Sequence, residues 1–147
     1  MVNAKNDIHL TDYQALAEFR YQIRRYLHFS EQIARSAGLE PQQHQLLLAI
    51  KGLPTNRKAT IGEIAQRLQI QHHSTVELIG RMTDRGYVER QRDEVDQRRV
   101  IVSLTSQGEE ILQKLSHTAL AELRSTAPAL VQVLSTLIVD LDQNPNQ

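Results

Sequence analysis

The chain has no cysteine and no tryptophan, and aromatic residues make up only 4% of it. The first absence excludes disulfides, thiolate zinc sites and cysteine-based redox sensing. The scarcity of aromatics means that any core must be aliphatic. No apolar run approaches the length of a membrane span, and the opening MVNAKNDIHL has no signal-peptide core. The expectation is a soluble, cytoplasmic protein with no membrane partner. The common enzyme signatures are also missing: there is no H-E-x-x-H, no G-x-S-x-G and no glycine-rich phosphate loop. A non-enzyme without a cofactor is therefore expected.

The formal net charge is zero, which by itself argues against a polyanionic partner. Its distribution argues the other way. Residues 1–40 carry five basic and five acidic side chains, residues 41–104 ten and seven, and residues 105–147 two and five. The middle is basic and the C-terminal arm acidic, a polarity suited to one face meeting phosphate. With 147 residues and 40% hydrophobic content, the chain is long enough for one core plus dimerisation arms.

Helical spacing of Leu16, Phe19, Ile23, Tyr26, Leu27 and Ile33 predicts a long first helix, capped by Thr11 or Asp12 and stopped by Gly38. Pro41 opens a second helix that Gly52 ends. Thr60 and Glu63 form a capping box before a short third helix ending near Leu68. After the turn QIQH, a fourth helix runs through HSTVELIGRMTDR to Gly86. YVERQR and RRVIVSL are the strands of a hairpin, with Val100, Val102 and Leu104 alternating onto one face. Thr105 or Ser106 caps a fifth helix to about Ser125, and Pro128 starts a sixth. The order of helices and hairpin predicts a mainly α fold with a small β-hairpin wing: a winged helix-turn-helix over 41–104, flanked by dimerisation helices over 1–40 and 105–147.

On the fourth helix, at about 100° per residue, Thr75, Leu78, Ile79 and Met82 share an inward arc, while His73, Glu77 and Arg81 project outward. Recognition helices present their N-terminal residues to base edges in the major groove. The candidate DNA-reading set is therefore His72, His73, Ser74, Thr75, Val76, Glu77 and Arg81. Ser74 can donate to phosphates or bases, Val76 can touch a thymine methyl, and Glu77 can accept from a cytosine amino group. A plain amphipathic surface helix would look the same in isolation. His72 and His73 do not suggest a metal, because adjacent helical residues point about 100° apart and no partner lies at zinc-motif spacing.

The hairpin tip, DEVDQRRV, packs arginines against carboxylates. An aspartate two residues before an arginine can orient the guanidinium fork and limit the entropy lost on binding. Asp96 is expected to brace Arg98, which enters a minor groove, while Arg92 and Arg99 meet phosphates. A solvated tip that is charged for solubility is the plain alternative.

From HHSTVELIGRMTDRGYVER through D-x-R-R to V-x-L-T-x-x-G, the chain resembles the DNA-binding core of the MarR family of bacterial transcriptional regulators. The resemblance covers residues 60–112 and implies a homodimer with interlocking terminal helices and a minor-groove Arg98 supported by Asp96. The chain departs from many relatives in carrying Glu77 where they carry a basic residue.

The leucines of the last arm, Leu112, Leu115, Leu120, Leu123, Leu130, Leu134, Leu137 and Leu141, offer more aliphatic surface than a monomer of this size needs. A fully buried leucine is worth roughly 1.5–3 kcal/mol, so part of this set suffices for a dimer. A two-fold dimer sets its recognition helices about 34 Å apart, on a pseudo-palindromic double-stranded DNA site. A small-molecule effector binding between dimer helices and winged lobe would change that spacing, and Tyr21, Arg24, His28 and His44 are candidates to line its crevice. The expected function is a dimeric transcriptional regulator, a repressor. The rival is a winged-helix module for protein–protein contacts or non-specific, architectural DNA binding.

Overall fold

The computed structural model describes residues 7–142, with side chains to residue 138. Five helices and one hairpin follow in the order α1 (Leu10–Ser36), α2 (Pro41–Lys51), α3 (Ile61–Leu68), α4 (His72–Asp84), β1 (Val88–Arg92), β2 (Val100–Leu104) and α5 (Ser106–Asp142). They fall into two compact units. One is Glu31–Thr118, and the other combines the described residues up to Ser30 with those from Ala119 onward.

In the unit Glu31–Thr118 a single aliphatic core gathers Leu39, Leu46, Leu47, Ile64, Ile79, Met82, Val88 and Val102, all essentially inaccessible to solvent. Each helix contributes the residues its periodicity assigns inward, so α2, α3, α4 and the hairpin are pinned to one another. Leu112 and Leu115 also belong to this core, so these two leucines need no partner chain.

Three helices end in the same way. Beyond α1, Gly38 has φ 80°, with Gly38 N–H donating to Arg35 and Leu39 N–H to Ala34. Beyond α4, Gly86 has φ 79°, with Gly86 N–H donating to Thr83 and Tyr87 N–H to Met82. These are Schellman closures, in which a left-handed residue turns the chain back onto the last carbonyls. Beyond α3 the same bonds run from Gln69 to Gln66 and from Ile70 to Ala65, but the left-handed residue is Gln69, φ 57°. A side chain is strained there by about 1 kcal/mol or more relative to glycine. The Gln69 Nε2 bond to the Gln66 carbonyl, 2.9 Å, offsets part of it. Gln69→Gly is therefore expected to raise stability by up to about 1 kcal/mol, measured as a higher denaturation midpoint; a lower midpoint would show the side-chain bond to outweigh the strain.

Side chains close the N-termini of α1, α2 and α3, while α4 has no side-chain cap. Thr60 Oγ1 accepts from Glu63 N–H, 3.2 Å, but the expected return bond is not made. Thr60 N–H donates to Lys58 instead, and the Glu63 carboxylate pairs with Arg57 and Arg67. On α2, Gln43 Oε1 accepts from Glu40 N–H. The first helix begins one residue before the expected cap: Asp12 lies inside it and accepts from His9 N–H, 2.8 Å. The fourth begins at His72, so QIQH is one residue too long for the turn.

Strands β1 and β2 pair antiparallel from Val88↔Leu104 to Arg92↔Val100. Thr60 bridges Ile101 on the far side of β2, where Val102 N–H also donates to Ala59, 3.0 Å. The C-terminal arm is one helix, not the two expected, and Pro128 lies inside it. Proline removes one amide donor and crowds the carbonyl four residues back. Here that carbonyl belongs to Arg124, and both residues are exposed, so the orphaned oxygen is not forced into a dry interior and the helix continues.

In the unit formed by the chain's two ends, apolar side chains remain in water. Leu10, Tyr13, Leu16 and Leu27 of α1 are exposed, as are Leu120, Val131, Leu134 and Ile138 of α5. Leu141 lies outside the residues whose side chains are described.

Candidate nucleic-acid interface

The outer face of α4 follows from its inner one. Leu78, Ile79 and Met82 are buried, which turns His72, His73, Val76, Glu77 and Arg81 outward, all exposed, with Ser74 half-buried. Thr75 faces the other way. It is fully buried and its hydroxyl donates to the Gln71 carbonyl, 2.9 Å, so it supports the start of the helix instead of presenting a group to a base. Glu77 and Arg81 approach to 3.9 Å across one helical turn. Such an exposed pair is worth only a few tenths of a kcal/mol and leaves either group free to be recruited.

The wing tip spans residues 93–99. Asp93 N–H donates to the Arg99 carbonyl and Arg99 N–H to the Asp96 carbonyl, which closes the tip into a tight loop. Asp96 Oδ1 accepts both the backbone N–H of Arg98, 3.1 Å, and its Nε, 3.2 Å. The rest of the Arg98 fork stands free, its side chain 92% exposed. The structure thus unites Asp96 and Arg98 as expected from their spacing. Arg92 spends one nitrogen on the Gln97 carbonyl, 2.9 Å.

Arg99 is differently placed from a free phosphate ligand. Its Nη2 and Nε reach Asp93 Oδ2 at 2.8 and 3.3 Å, and Lys58 Nζ reaches Asp93 Oδ1 at 2.8 Å. Asp93 is buried, with only 4% of its surface accessible. Its carboxyl is held far below the usual range by Lys58, then Arg99, then the Val95 amide, against the opposing cost of desolvation. Arg99 is raised in return, mainly by Asp93. Sequence reading placed Asp93 in the charged knot without a role and did not single out Lys58.

The wing is clamped at its base by the T-x-x-G motif. Thr105 Oγ1 donates to the Gly86 carbonyl, 2.6 Å, and accepts from Gly108 N–H, 3.1 Å, while Thr105 N–H donates to the Tyr87 carbonyl, 3.1 Å. One hydroxyl joins the end of α4, the return of the hairpin and the start of α5. Arg85 adds a second brace: it donates to Gln43 Oε1 and the Gly38 carbonyl, both at 3.0 Å, and stacks over Tyr87.

The residues expected to line an effector crevice divide. Tyr21, Arg24 and His28 are exposed on α1, with Arg25 over the Tyr21 ring. His44 is buried in α2, and its Nδ1 has no hydrogen-bond partner among the described residues. Burial lowers its pKa, favouring the neutral ring. A cleft of about 580 Å³ in the unit Glu31–Thr118 is lined by other residues, among them Leu53, Lys58, Asp93 and Ile101.

Residues 37–99 match the model of the MarR family. No curated protein matches the chain by sequence. Among solved structures it is similar to AbsC, a MarR family transcriptional regulator from Streptomyces coelicolor, at 18% identity and TM-score 0.71, covering 97% of this chain and 100% of that one. It is similar to FabT of Streptococcus pneumoniae in complex with DNA at 20% identity and TM-score 0.69, over 90% and 96%. It is similar to BpsR of Bordetella bronchiseptica, whose DNA binding is regulated by 6-hydroxynicotinic acid, at 20% identity and TM-score 0.63, over 88% and 98%. At these identities the likeness establishes a shared winged-helix fold.

Proposed function

We propose, from the premise that this chain belongs to the MarR family through its winged-helix segment, residues 37–99, that it is a homodimeric, sequence-specific DNA-binding regulator. In this reading it is a repressor that a small-molecule effector releases. The observation that carries the DNA partner is the fully presented Arg98 on a tip braced by Asp96, held in the same unit as the polar face of α4. The helix enters a major groove with His72, His73, Ser74, Val76, Glu77 and Arg81 toward the bases, and the wing places Arg98 in the adjacent minor groove. FabT in complex with DNA supports the partner by likeness of fold.

The apolar side chains left exposed along α1 and the later part of α5 support the dimer, since single exposed leucines are ordinary but a run of them along two helices marks a contact surface. The effector is supported by analogy with BpsR, and Tyr21, Arg24 and His28, exposed on α1, are the residues proposed to meet it, whereas the buried His44 is not open to a ligand.

Footprinting of the purified protein on DNA upstream of its own gene tests class and symmetry together. The expected result is one protected site of two related halves whose centres lie about 10 base pairs apart. Equal affinity for that DNA and for random duplex, or none for either, would favour the architectural or protein-contact reading.

A further inference from the structure

Asp93 sits where the wing tip leaves β1, and it is buried although Arg92 and Glu94 beside it are exposed. Its oxygens divide their partners. Oδ1 accepts from Lys58 Nζ and from Val95 N–H, and Oδ2 accepts from two nitrogens of Arg99. Lys58 lies 35 residues earlier, in the segment that leads into α3. One carboxylate therefore ties the wing tip to the helix-turn-helix.

The two cations are not buried with it. The side chains of Lys58 and Arg99 are 46% and 48% exposed. Freed from Asp93, both can swing outward without losing hydration. Any cation that reaches a phosphate adds affinity through counterion release, whatever the base sequence. An untied tip would also let Arg98 sample more positions.

We propose that Asp93 is a specificity-determining residue, which withholds Lys58 and Arg99 from phosphate and fixes the wing tip relative to α3 and α4, so that Arg98 reaches DNA from a constant root. This rests on the DNA-binding reading above.

The test uses the full chain and two probes: a duplex that the wild-type protein selects from a random pool, and the same duplex with its sequence shuffled. Asp93→Asn keeps the shape and one acceptor oxygen but loses the charge. Its expected effect is a fall of about tenfold or more in the ratio of the two affinities, driven by a gain on the shuffled duplex. On that duplex the plot of log K against log salt concentration steepens by about one to two units per protomer. Adding Lys58→Gln and Arg99→Gln to Asp93→Asn is expected to return the slope to the wild-type value while selectivity stays low. A steep slope that persists in the triple variant overturns the assignment to these two cations. A purely structural role would weaken both duplexes together, in step with a lower melting temperature and without a steeper slope. That outcome, or an unchanged ratio and slope, overturns the proposal while the DNA-binding reading stands. A wild-type protein that selects no duplex overturns the DNA-binding reading, and this inference with it.

Discussion

Arg98→Ala is expected to weaken binding to a selected duplex about 10- to 100-fold, matching the roughly 1–3 kcal/mol carried by one well-placed arginine contact. The side chain is 92% exposed, and among the described residues its one hydrogen bond runs from Nε to Asp96. Truncating it removes no packing, so the melting temperature should stay where it is. Arg98→Lys keeps the charge but not the planar fork. It is expected to fall between the two, with a salt dependence close to the wild type. Asp96→Ala should reproduce part of the loss, because the fork would then have to be ordered at the moment of binding. Mobility shifts with the three variants check the order, and an Arg98→Ala protein that binds as tightly as the wild type removes the wing from the mechanism.

The second large effect concerns the fold itself. Gly108 lies in the first turn of α5, directly over the Tyr87 carbonyl. A Cβ placed there would lie well inside contact distance of that oxygen and within 3.4 Å of Leu104 Cγ. The carbonyl cannot simply retreat, because it accepts from Thr105 N–H, and Thr105 in turn grips Gly86. Gly108→Ala is therefore expected to cost roughly 1–3 kcal/mol, or more if the clamp opens. The melting temperature should fall by about 2–4 °C for each kcal/mol. Gly62→Ala is the matching control: nothing stands within 4 Å of its added Cβ, and it lies in α3. It should raise stability by about 0.5–1 kcal/mol. Thermal denaturation of both variants decides the matter, and equal shifts would mean that the contact over Tyr87 is not what requires glycine.

Local signals made most of the winged lobe readable in advance. Gly38, Gly52 and Gly86 end their helices because the sequence places glycine where the chain must turn, and Thr60 announces α3. Alternation of Val100, Val102 and Leu104 gave the strand. Asp96 and Arg98 could be paired from their separation of two. What escaped was non-local or atypical. The Lys58–Asp93 bond joins residues 35 apart, and no pattern within a window of the chain encodes it. Gln69 adopts a conformation that the sequence advertises only with glycine or asparagine. Pro128 reads as a helix start, because proline suits that position; it is carried through a continuous helix on an exposed stretch. Thr75 belongs by sequence position to the reading end of α4 and by phase to the core, and the phase prevails.

Ala59 and Thr60, which meet β2 along the side that β1 leaves open, change what kind of object the hairpin is. A ribbon of two strands is barely stable alone in water, and its unpaired backbone invites like segments of other molecules to add on. With the middle of that margin already occupied, slow amide exchange is expected at Val102, and less of that side is open to strands of other molecules. The apex can then be all charge because the root is woven into the body of the lobe.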